Sequence, residues 1–130
     1  MRTILTTIRP TIEATTANST PIEHFQNETL RPILKFQHDL LMQVMRQYFI
    51  KRKGEFFKIK EKAQLQYLED AIRKDLRFKA MLQGLIIGLF SEGEFLFYSE
   101  YETELSRRLT DLLIQRFQSK VTNLSALEIK

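Results

Sequence analysis

The sequence predicts an all-α fold, an antiparallel bundle of four main helices with a short leading helix. Three observations predict it. Apolar residues recur at three- and four-residue spacing over most of residues 20–121, which places them on one face of a helix. No stretch alternates apolar and polar residues long enough to read as a strand. The connections between periodic segments are only a few residues long, as in antiparallel bundles.

The chain of 130 residues is expected to form one domain. A chain of this size buries about two thirds of its unfolded surface, so a core needs no disulfide or metal. It contains no cysteine. That excludes a disulfide scaffold, a thiolate zinc site and a cysteine nucleophile. It also fits a reducing compartment, and a cytoplasmic location is expected. Residues 1–10 do not read as a signal peptide, because threonines break the apolar run. Twenty Lys plus Arg against sixteen Asp plus Glu leave a net charge of +4. This mild excess falls short of a dedicated nucleic-acid binder.

Residues 1–19 hold six threonines and few large apolar groups, and are expected to be a flexible arm. Order should begin at Thr20, a hydroxyl three residues before Glu23, with Pro21 at the first helical position. That helix should end near Gln26. A second start is expected at Asn27 or Thr29, with Pro32 in its first turn. The long helix that follows reaches about Lys53. Leu30, Ile33, Leu34, Leu41, Val44, Met45 and Tyr48 form its apolar face, and Gly54 is its stop.

Glu55 to Ile59 reads as a connector anchored by Phe56 and Phe57. The next helix begins near Lys60, with Leu65, Leu68, Ile72 and Leu76 on one face. Asp75 is expected to cap a separate helix that contains Gly84 and Gly88. The run from Lys79 to Phe90 is the most apolar in the chain, but too short for a membrane span of about 20 residues. Two glycines one turn apart predict a flat strip pressed against another helix, with this segment central to the bundle. On that expectation Gly88→Ala destabilises the fold, and Gly84→Ala does so or weakens dimerisation.

Ser91 and Glu94 form a second capping box. The last helix should run to about Val121. Its inner stripe is Tyr98, Tyr101, Leu105, Leu109, Leu112 and Phe117; Glu102, Glu104, Arg107, Arg108 and Asp111 make its ion-paired outer face. A kink is expected at residues 100–103, and residues 122–130 should fray.

No catalytic or metal motif appears, and no cofactor is expected. His24 and His38 read as surface residues at helix starts, without the Glu-x-x-His spacing of a bundle metal site. Gln37 points toward the apolar face and must find a partner, either a facing helix that it holds in register or a ligand. Arg31 and Asp39 flank it. Lys51, Arg52 and Lys53, followed by Lys58, Lys60 and Lys62, are the best nucleic-acid contact, with Phe56 and Phe57 interleaved. Lysines at a helix C-terminus and phenylalanines at a turn equally fit capping and core roles.

Residues 25–33 (FQNETLRPI), then Lys35, Gln37 and Asp39-Leu40, resemble a group of short uncharacterised all-helical bacterial proteins that often carry the name glyoxalase. Tyr67, Glu69, Ala71-Ile72, Lys74-Asp75, Phe78, Leu82, Gly84, Ile87-Gly88, Phe90 and Glu94 fit the same pattern. The resemblance covers about residues 25–117. It implies a helical fold and a polar feature at Gln37 and Arg31. Glyoxalases themselves have paired βαβββ units and metal held by His and Glu on strands, and the sequence offers neither. The resemblance therefore implies no chemistry.

The expected function is a non-enzymatic interaction protein that forms a homodimer or binds another protein. Ten phenylalanines and four tyrosines are more than four helices readily bury, so a partner should cover some of them. The alternative is a nucleic-acid or ribosome-associated protein using the Lys51–Lys62 region.

Overall fold

A computed structural model describes residues 20–121 and Leu124. They form an all-α domain with no strand among them. The expected arm at 1–19 lies outside the described residues, as does the tail beyond Val121 apart from Leu124. Leu124 is helical and buried, and its N–H bonds the Lys120 carbonyl at 2.9 Å.

Helix α1 spans Pro21–Phe25 and starts where expected, with the Thr20 hydroxyl accepting from Glu23 N at 3.1 Å. The second start at Asn27 or Thr29 is absent. The chain continues through a π-helical turn, Gln26–Leu30, into α2, Arg31–Phe36. The cause is Pro32, which has no N–H to give to the carbonyl four residues back and whose ring crowds it. The turn widens instead, and Arg31 N bonds Gln26 O. Thr29 is turned inward and donates to Glu94 Oε2 at 3.3 Å.

Gln37 breaks the helix, and α3 runs over His38–Lys51. Lys53 and Gly54 both take left-handed backbone, with φ of 64° and 66°, and the turn closes on Phe49 O through Gly54 N. A 3₁₀ turn follows at Glu55–Lys58. Phe56 is fully buried there and stacks on Phe49 at 3.8 Å between centroids, with Phe57 and Tyr67 edge-on to Phe49.

Helices α4, Glu61–Lys74, and α5, Leu76–Ile87, are separate, as expected, because Asp75 is extended and caps α5 through Phe78 N at 3.1 Å. Leu76 therefore leaves the α4 face and is 69 % exposed at the start of α5. Helix α6 spans Glu92–Glu100 behind a complete Ser91/Glu94 capping box. The expected kink falls at Tyr101, which is half-exposed rather than on the inner stripe, and α7 follows over Glu102–Ser119.

The glycine expectation is corrected. Phe78, Leu82 and Ile86 form the packed ridge of α5. Gly84 lies two residues from Leu82, about 200° around the helix, and so faces outward. A Cβ at Gly84 meets nothing within 4 Å; one at Gly88 meets only Gly84 O of its own turn, at 3.1 Å. No neighbouring helix crosses the strip among the described residues. The helix that buries the most residues is α7, with Leu105, Leu109, Thr110, Leu112, Leu113, Ile114 and Phe117. Its outer face carries the expected ion pairs, Glu104 with Arg107 and Arg108, and Arg107 with Asp111.

Candidate functional site

Asp75 organises the junction of α3, α4 and α5. One carboxylate oxygen accepts from Phe78 N as the helix cap. The other accepts from the Tyr48 hydroxyl at 3.0 Å and from Arg52 Nη2 at 2.9 Å. The Phe78 N–H first, with the Tyr48 hydroxyl and the Arg52 charge, holds the Asp75 carboxyl below its ordinary range. Burial, and then the bond to Asp75, push the Tyr48 phenol up to about 12. The Arg52 guanidinium lies 3.5 Å from the Tyr48 ring centre, and the Phe78 ring stacks on Tyr48 at 3.9 Å.

Around this centre α3 and α5 run antiparallel, since Gln37 meets Leu85 while Arg52 meets Asp75. They leave a cleft of about 620 Å³. Its apolar wall is Val44, Phe78 and Met81, and its polar groups are Gln43, Gln47, Lys51, Arg52, Asp75 and Arg77. A second cleft of about 610 Å³ lies at the turn from α5 to α6, lined by Ile87, Gly88, Phe90, Ser91, Glu92, Phe95 and Leu96. Phe95 is 49 % and Leu96 69 % exposed there.

Arg31, Gln37 and Asp39 do not converge on one site. Arg31 bonds Asn27 Oδ1 on its own helix, Asp39 is exposed, and Gln37 gives its amide to Leu85 O at 3.0 Å. Gln37 thus holds a facing backbone in register. Near the end of α5, Leu89 N bonds Ile86 O rather than Leu85 O, so the Leu85 carbonyl is a helix-end acceptor that Gln37 satisfies. Neither cleft touches any of the three.

The basic region is divided. Lys51 and Arg52 face the α3/α5 cleft, whereas Lys60 and Lys62 border a groove with Gln118 of α7. Lys53 and Lys58 are exposed. Phe56 is buried and offers no ring for stacking a base, and Arg52 is held by Asp75.

His24 is exposed as expected. His38 is not a plain surface residue: its Nδ1 lies 3.1 Å from Arg116 Nη1, and burial first, then Arg116, lower its pKa. No group of three His, Cys, Asp or Glu among the described residues is placed to hold a metal ion. No helix among them is long and apolar enough to cross a membrane.

Several polar contacts were not legible as pairs. Gln83 Nε2 faces Ser106 Oγ at 2.9 Å and Thr110 Oγ1 at 3.1 Å across α5 and α7. Arg108 reaches Gln26 at 2.9 Å, and Arg73 reaches Asp111 at 2.9 Å. The only signal in the sequence was a polar residue at an inward helical position, as at Gln83. No known family, curated protein or solved structure matches the chain.

Proposed function

We propose that the protein is a non-enzymatic interaction module that pairs with a second copy of itself through the outer face of α5 and the start of α6. One observation carries the reading. Ala80, Gly84 and Gly88 recur every four residues on the exposed side of α5, and the exposed apolar side chains Leu76, Met81, Phe95 and Leu96 adjoin them. A mid-helix glycine in solvent costs about 1 kcal/mol relative to alanine and is better accounted for by close approach of another backbone. An antiparallel crossing at Gly84 sets Ala80 opposite the partner's Gly88. It also brings Arg77 toward the partner's Glu92, so the face is complementary to itself. The reading treats α3, α4, α5 and α7 as an antiparallel bundle, a view supported by the opposed course of α3 and α5, with α6 free to share the contact.

Sedimentation over the micromolar range tests it. The parent should dimerise, and Phe95→Ser with Leu96→Ser should return it to monomer while preserving the helical spectrum. A parent that stays monomeric at every concentration overturns the reading.

Nucleic-acid binding through Lys51–Lys62 is the weaker alternative, because its cations are split between two surfaces and Phe56 is buried. Retention of RNA or DNA at low salt, lost steeply as salt rises, would favour it.

A further inference from the structure

We propose that the cleft between α3 and α5 binds an amphipathic monoanion, an acyl or aryl group ending in a carboxylate, with the body against Val44, Phe78 and Met81 and the charge between Lys51 and Arg77. The site is separate from the self-association face except at Arg77 and Met81, which border both, and the inference does not rest on that reading.

Charge decides the sign of the ligand. The cleft holds three cations, Lys51, Arg52 and Arg77, against one carboxylate, Asp75. Asp75 is already committed to Arg52, the Tyr48 hydroxyl and the Phe78 N–H. Lys51 and Arg77 have no carboxylate partner among the described residues. A neutral or cationic head would leave them facing water as before; an anion pairs with both. A carboxylate has two acceptor oxygens, one for each of these cations, whereas a polyphosphate carries more negative charge than the two offset.

Shape decides the body. About 620 Å³ lies within the range of small-molecule sites, and its walls are more apolar than polar. Gln43 and Gln47 supply amides at the rim. The Tyr48 and Phe78 rings stack on each other, so their faces are not free to sandwich a nucleobase. An apolar chain lying along Met81 and Val44 needs no such sandwich.

The test follows the Val44 and Met81 methyl resonances of the full chain during titration with octanoate, octan-1-ol and acetate. Octanoate should shift both methyls saturably. Octan-1-ol and acetate should each bind at least about tenfold more weakly, since each lacks one half of the recognition. Lys51→Gln with Arg77→Gln should weaken octanoate about fivefold to tenfold, as expected of two exposed charge pairs. Lys62→Gln, on another surface, should not. Both replaced residues are exposed, so the fold should persist. Met81→Glu gives an independent check and should abolish the octanoate shift at Val44. Equal affinity for octanoate and octan-1-ol, indifference to the double variant, or shifts at the Leu96 methyls in place of Val44 would overturn the proposal.

Discussion

Tyr48 donates its hydroxyl proton to Asp75 at 3.0 Å, and the same carboxylate oxygen holds Arg52. One side chain thus caps α5 and ties it to the end of α3. Asp75→Ala should cost about 1–2 kcal/mol, the range for loss of a helix cap, with some addition from the freed phenol. Urea unfolding measures it. The phenol gives a second readout. An ordinary tyrosine ionises near 10, and Tyr48 is raised to about 12. Its contribution is therefore complete below pH 10 and lost as pH rises toward 12. Tyr48→Phe should flatten part of that alkaline loss, which spectrophotometric titration of the phenols can follow.

His38 should give the opposite dependence on the acid side. Burial and Arg116 favour its neutral form, with Lys120 acting the same way and Asp39 against it. A depressed folded pKa means that stability is full above about 6.5, the ordinary value, and falls as the pH drops below it. His38→Gln should remove that part of the acid slope. An unchanged midpoint difference between pH 7.5 and pH 5.5 in the variant would contradict the Arg116 contact.

Gln37→Met keeps the size of the side chain and deletes the donor to Leu85 O. The carbonyl sits at a helix end in a partly buried contact. The expected loss is about 1 kcal/mol, read by chemical denaturation. Amide exchange at the α5–α6 turn should also quicken, since the bond fixes that turn to α3.

Gly84→Ala separates the fold of one chain from its pairing. A methyl there meets open space, so alanine should stabilise the monomer by about 0.5–1 kcal/mol through backbone entropy. The same methyl stands in the way of a second backbone and should weaken the dimer. Melting at a concentration below dissociation reads the first effect, and sedimentation reads the second. Gly88→Ala should gain less, because its methyl would press on Gly84 O at 3.1 Å.

Much of the fold is legible in the sequence. The Thr20 and Ser91 caps, the Gly54 stop, the Asp75 restart and the Phe56 anchor all depend on residues within a few positions of one another. The Pro32 turn differs from expectation because proline permits two outcomes, a fresh start or a widened turn, and local sequence does not choose between them. The glycines were misread because small size reports that close approach is possible, not that it occurs within one chain. The α3/α5 cleft stayed hidden for a different reason. Lys51 and Arg77 are 26 positions apart, and their proximity follows from the antiparallel course of two helices, which no local pattern encodes.

Helix α7 buries more residues than any other helix and leaves the ribosome after α1 to α6. Until it emerges, α4 and α5 have no Leu109, Leu113 or Phe117 to cover Leu68, Ile72, Leu82 and Ile86. The core therefore cannot close progressively as these helices are synthesised, and the nascent chain presents oily helical faces until α7 is made. A chain halted near Glu100 should accordingly bind hydrophobic-recognising chaperones and resist compaction, whereas release of the completed α7 should convert it to a protease-resistant form in a single step.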